Sequence, residues 1–99
     1  MNKRAGVMVA VGVLVGCNTA SPEFRDVPAT TVTVSGSVFD VRHIGTRVEL
    51  LRTNAQYAPT FASIIPTASQ AVTLATGCRA RPESWEGEQT LMQVEVDCP

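Results

Sequence analysis

A small α+β fold, an antiparallel sheet of about four strands in the order ββαββ with one helix on a face, is predicted by three observations. Residues 31–52 and 90–97 alternate apolar and polar positions at the two-residue period of a half-buried strand. Between them an alanine-rich stretch without charge, Phe61 to Thr76, loses that period and reads as a helix. Two cysteines, Cys78 and Cys98, frame the last pair of strands, where one disulfide can close a small domain.

The first strand pair runs from Thr31. Val32, Val34 and Val38 share one face, and Phe39 and Val41 fall on the other, so a bulge or strong bend near Gly36 is expected. His43-Ile44-Gly45-Thr46 forms a turn, and Arg47-Val48-Glu49-Leu50-Leu51-Arg52 resumes alternation as the second strand. Residues 53–60 form a loop ending near Pro59.

Pro66 divides the helical stretch, because proline lacks a backbone donor and disfavours helical geometry at the residue before it. A firm helix is therefore predicted from about Pro66 to Thr76, with a looser or kinked turn before it and Gly77 as its stop. Ile64, Ala68, Ala71, Val72 and Ala75 make the stripe that faces the sheet, while Thr67, Gln70 and Thr73 leave the opposite face weakly polar. The second strand pair is Cys78-Arg79-Ala80-Arg81 against Thr90–Asp97, with Glu86-Gly87-Glu88 as the turn. A hairpin centred on residue 88 sets Arg81 opposite Glu95 and Cys78 opposite Cys98, a register that brings the two sulfurs together.

The N-terminus has a different character. Asn2-Lys3-Arg4 is cationic, residues 5–15 are uncharged and largely aliphatic, and Asn18, Thr19, Ser21, Pro22 and Glu23 end the run well short of the roughly 20 apolar residues that a bilayer-spanning helix needs. The run closes on Leu14-Val15-Gly16-Cys17, which resembles the lipobox of bacterial lipoproteins: an aliphatic residue, a small or aliphatic one, Gly or Ala, then Cys. That resemblance covers the first seventeen residues only. It implies that residues 1–16 are a signal peptide, that Cys17 carries diacylglycerol as the first mature residue, and that two or three acyl chains hold the protein on a membrane. Asn18 in place of Asp favours the outer membrane facing the periplasm over the inner membrane. Residues 17–30 then read as the lipidated terminus and a flexible tether, with Phe24 and Val27 as the positions able to dock, and 31–99 as the domain.

Removing residues 1–16 leaves six arginines against nine acids, no lysine and no basic stripe, which argues against nucleic acid as a partner. Assigning Cys17 to lipid leaves Cys78 and Cys98 as an even pair in an exported chain, so one disulfide is expected in preference to metal or redox chemistry. His43 is the only histidine, at a turn beside Asp40 and Arg42. A lone turn histidine reads as solvated surface unless Asp40 and an arginine converge on it. Ser35 and Ser37 lack a nucleophile-elbow sequence, and Glu83, Glu86 and Glu88 lack calcium-loop spacing. No catalytic residue, metal or cofactor is therefore assigned. Tyr57, Trp85 and Arg52 are the candidate partner contacts, Trp85 having the alternative role of a lid on the core and Arg52 that of pairing with a buried carbonyl or acid. The expected role is a non-enzymatic envelope lipoprotein that binds or scaffolds an envelope protein. A small ligand-binding or enzymatic domain, and an immunity-type lipoprotein, are the alternatives.

Overall fold

The computed structural model describes residues 20–54 and 60–99. Cys17, Tyr57 and the expected signal segment lie outside the described residues. Among the described residues the elements are β1 (Thr30–Val34), β2 (Ser37–Ile44), β3 (Arg47–Arg52), the helix α1 (Phe61–Thr76), β4 (Arg79–Ala80), β5 (Glu86–Gly87) and β6 (Leu91–Asp97). The sheet is antiparallel, in the order β1-β2-β3-β6-β4, with β5 beside β4 on the same edge of β6. No helix among the described residues is long and apolar enough to cross a membrane. The α+β class and the single helix stand as expected, but there are more than four strands, and each surplus strand has a local cause.

The first cause is at Ser35-Gly36. Instead of one bent strand, β1 and β2 form a hairpin with Val34 opposite Ser37, and both loop residues have left-handed backbone, Ser35 at φ 51° and Gly36 at φ 84°. Two successive positive φ angles characterise the tight hairpin turn whose twist matches that of the strands. The reversal resolves the apparent face switch: Val32 faces Phe39 across the ladder, so Val32, Val34, Phe39 and Val41 all point to the helix. Asn54 braces the turn, accepting from the Val38 amide at 3.0 Å and donating to the Gly36 carbonyl at 2.8 Å.

The second cause lies between β4 and β5. Arg79 pairs with Asp97 and Ala80 with Val96, in the register expected from a centre at residue 88. Pro82–Ser84 then leaves the ladder as a 3-10 turn, and pairing resumes three residues out of step, Glu86 with Gln93 and Gly87 with Met92. Glu86 and Gly87 are therefore strand residues, and the chain reverses at Gln89-Thr90. Ser84 repairs the gap: its hydroxyl accepts from the Glu95 amide at 2.9 Å and donates to the Arg81 carbonyl at 2.9 Å. Gly87 is required there, since a Cβ would lie 2.3 Å from the Leu91 carbonyl oxygen.

α1 is continuous through Pro66, one turn longer than expected. Its start is fixed by a reciprocal cap, with Thr60 Oγ1 accepting from the Ser63 amide and Ser63 Oγ accepting from the Thr60 amide, both at 3.0 Å. Gly77 ends it at φ 76°, its amide donating to the Thr73 carbonyl. Ile64, Ala68, Ala71 and Val72 are buried against Phe39, Val41, Val48, Leu50, Met92, Val94 and Val96, while Ala75 packs at the margin. The alanines let the helix sit low, and it touches both outer strands, β1 and β4, so the sheet curls around it. Each large side chain buried there contributes about 1.5–3 kcal/mol.

The opposite face of the sheet is covered by residues 20–27, which the sequence reading placed in the tether. A 3-10 turn, Pro22–Phe24, seats Phe24 fully buried, and Ala20 and Leu51 are also buried. Glu49, only 1 % exposed, accepts from the Ser21 amide (3.1 Å), the Ser21 hydroxyl (2.6 Å) and the Gln93 amide (2.9 Å). Arg47 lies over the Phe24 ring, 5.7 Å from its centroid, and contacts Glu23 and Gln93. Arg42 Nε donates to the Val27 carbonyl at 3.0 Å. From Ala20 onward this segment is a strap on the sheet.

Pro66 is exposed and stands where an interior helix residue would donate a backbone hydrogen bond. Pro66→Ala is therefore expected to stabilise the domain by about 1–3 kcal/mol in urea unfolding. An unchanged or lower midpoint would show that the helix is not continuous there.

Candidate functional site

The sequence-predicted residues fall in separate places. Arg52 is half-buried and its guanidinium is engaged by backbone: Nε donates to the Gln89 carbonyl at 3.2 Å and Nη1 to the Asn54 carbonyl at 2.7 Å. It thereby ties the end of β3 to the β5–β6 turn. Trp85 is half-buried and packs on the helix-facing core, and its indole Nε1 is buried with no acceptor among the described residues. Glu88 caps the neighbouring turn, accepting from the Thr90 amide at 2.8 Å. Glu83 and Glu86 are exposed near it.

His43 and Asp40 do not converge. Strand alternation puts them on opposite faces of β2: Asp40 accepts from Thr31 Oγ1 at 2.7 Å, and His43 Nε2 donates to the Gly45 carbonyl at 2.8 Å. His43 is brought instead to the disulfide, which the sequence reading placed in a separate hairpin. A His43 ring nitrogen and the sulfurs of Cys78 and Cys98 lie within 4.8 Å of one another. The Cys78–Cys98 bond is formed, as the strand register implied, so both sulfurs are committed to each other and neither is a thiolate ligand. With its ends 20 positions apart in sequence, that bond contributes roughly 3 kcal/mol by restricting the unfolded chain.

Beside the disulfide runs a shallow groove of about 500 Å³ between α1 and the β4 edge, lined by Ser69, Gln70, Thr73, Leu74, Arg79 and Ala80. A second hollow of about 370 Å³ continues from it past Gly77, Cys78 and Cys98. Leu74 is 67 % exposed and gives the groove an apolar wall. The lining offers hydroxyls, one amide and one guanidinium, and the adjoining hollow adds the Asp97 carboxylate. Leu74 falls outside the apolar stripe that the helical period predicts. The signal was there: it is the one large aliphatic among Thr67, Gln70 and Thr73.

At the groove's end, Arg81 and Asp97 form an exposed pair, with Arg81 Nη2 and Nε 2.8 and 2.9 Å from one Asp97 oxygen. The hydrogen bond from Arg81, with its positive charge, holds the Asp97 carboxyl below the usual carboxylate range. No family model, curated protein or solved structure matches the chain.

Two outcomes are expected. Trp85→Phe should change stability by less than about 1 kcal/mol, because it removes an unpartnered donor while keeping a ring, whereas Trp85→Ala should cost about 2–3 kcal/mol in chemical denaturation. Equal losses would mean that the indole N–H has a partner. For Asp97, a depressed native pKa stabilises the fold above the unfolded carboxyl's pKa, and this is lost as pH falls through the native one. A carbon-detected titration of wild type should thus give a low Asp97 midpoint that Arg81→Met returns to the ordinary range, and no movement would rule the pair out in solution.

Proposed function

We propose that this chain is a lipid-anchored cell-envelope protein whose small domain binds or scaffolds another envelope component without catalysing a reaction. The observation that carries the reading is Leu14-Val15-Gly16-Cys17 closing an uncharged run behind Asn2-Lys3-Arg4, the charge, length and spacing of a lipoprotein signal. The disulfide supports it, since the bond uses two of the three cysteines and leaves Cys17 available for lipid. Asn18 favours delivery to the outer membrane, facing the periplasm. The α1–β4 groove, with Leu74 exposed beside Arg79, supports binding: it offers apolar area and one exposed cation.

In bacterial cells, Cys17→Ala is expected to abolish labelling by a fatty-acid probe and to leave a longer, unprocessed or soluble form. Labelling that persists in that variant would refute the anchor. Affinity capture from detergent-solubilised envelopes should retain a stoichiometric protein partner that is lost on Leu74→Glu, and repeated capture of none would overturn the scaffolding role.

A further inference from the structure

We infer that the strap face of the sheet lies against the lipid headgroups and that α1 points away from the membrane. The inference rests on the lipid-anchor reading of Cys17 and takes a phospholipid surface as the partner of the strap face.

Chain length decides it. Had residues 17–30 been a free tether, the thirteen steps from Cys17 to Thr30 would span up to about 45 Å, and the domain could present any side to the bilayer. Ser21, however, is fixed to the centre of the sheet by its amide and its hydroxyl, both given to the buried Glu49 of β3. Gln93 of β6 donates to the same carboxylate at 2.9 Å, and Ala20 next to Ser21 is buried. Only four steps separate Cys17 from Ser21, so the lipidated residue lies no more than about 14 Å from this point.

The geometry of the layers does the rest. The helix is about 10–12 Å across with its side chains and packs on the far face of the sheet. A 14 Å leash that starts at the middle of one face is too short to pass the sheet edge and bring the outer side of that helix to the bilayer. Electrostatics is not the cause: Glu23 is neutralised by Arg47, and Arg25 is followed by Asp26, so the strap holds no cationic patch for anionic lipid. The orientation comes from covalent reach and the Ser21–Glu49 bonds.

The test uses lipidated protein purified from bacterial envelopes and placed in phosphatidylcholine nanodiscs doped with a gadolinium-chelate lipid. Amide broadening is expected to be several-fold stronger at Glu23–Val27 and Arg47–Glu49 than at Thr73 and Leu74. Ten Gly/Ser residues inserted between Asn18 and Thr19 leave the domain untouched and lengthen the leash, and should level the broadening. Glu49→Ala should do the same if it folds. Uniform broadening of the wild type, or strongest broadening on α1, overturns the orientation alone. A chain whose mass lacks the added lipid brings down the anchor reading itself, and the orientation with it.

Discussion

A sheet has two faces, and among the described residues one α-helix is there to cover them. An uncovered second face would leave Leu51 and the apolar part of β3 in water, and in so small a domain the loss would be large relative to a net stability of a few kcal/mol. The strap from Ala20 to Val27 meets that constraint. Phe24 supplies the apolar cover, and Glu49 supplies the attachment: a carboxylate 1 % exposed, held by three donors. A buried charge is tolerated only when its lone pairs are filled, so the strap and Glu49 depend on each other. Without Ser21 the carboxylate would be under-solvated. Without Glu49 the strap would lose its fixed point on the sheet.

The C-terminal half meets a different difficulty. β6 is an interior strand, flanked by β3 on one side and by two-residue strands on the other. Such short edge pieces offer little template for aggregation but also little holding power. The disulfide acts at the point where that edge is weakest, joining Cys78 at the exit of α1 to Cys98 just past β6. It fixes the helix, the edge and the last strand in one register, and Arg81 with Asp97 extends the same junction by an exposed pair of modest worth.

Much of this was legible in the residues. The stripe Ile64, Ala68, Ala71 and Val72, the stop at Gly77 and the pairing of Cys78 with Cys98 follow from period and register alone. Three features were hidden for physical reasons. Ser35 adopts a left-handed backbone that glycine favours, so Ser35-Gly36 passed for a bend although Ser-Gly is a turn dipeptide. The capping box closes on Ser63 where Glu or Gln is usual, which concealed the true start of α1. In β3, the adjacent Leu50 and Leu51 break strict alternation, the sign of a strand buried on both faces, and buried Glu49 between Val48 and Leu50 conceals that sign. The groove was less legible, since it joins Leu74 to Arg79 across the end of the helix and no spacing in the sequence announces it.

The distribution of charge over the two faces fits the proposed arrangement. α1 carries no ionisable side chain from Phe61 to Thr76, and its exposed residues include Ala62, Ser63, Pro66, Gln70, Thr73 and Leu74. A face of hydroxyls, an amide and one leucine costs little to desolvate compared with a lysine- or glutamate-rich helix, so it suits a contact made over area more than one made by ion pairs. Arg79, Arg81 and Asp97 sit beside it at the β4–β6 end, whereas Glu86, opposite Gln93, lies on the strap side of the sheet. In the proposed contact, such a neutral surface would supply affinity and the charges at its β4–β6 end would set orientation. On a domain held by its strap face to the lipid, that neutral surface is the one left pointing outward, where an envelope partner would meet it.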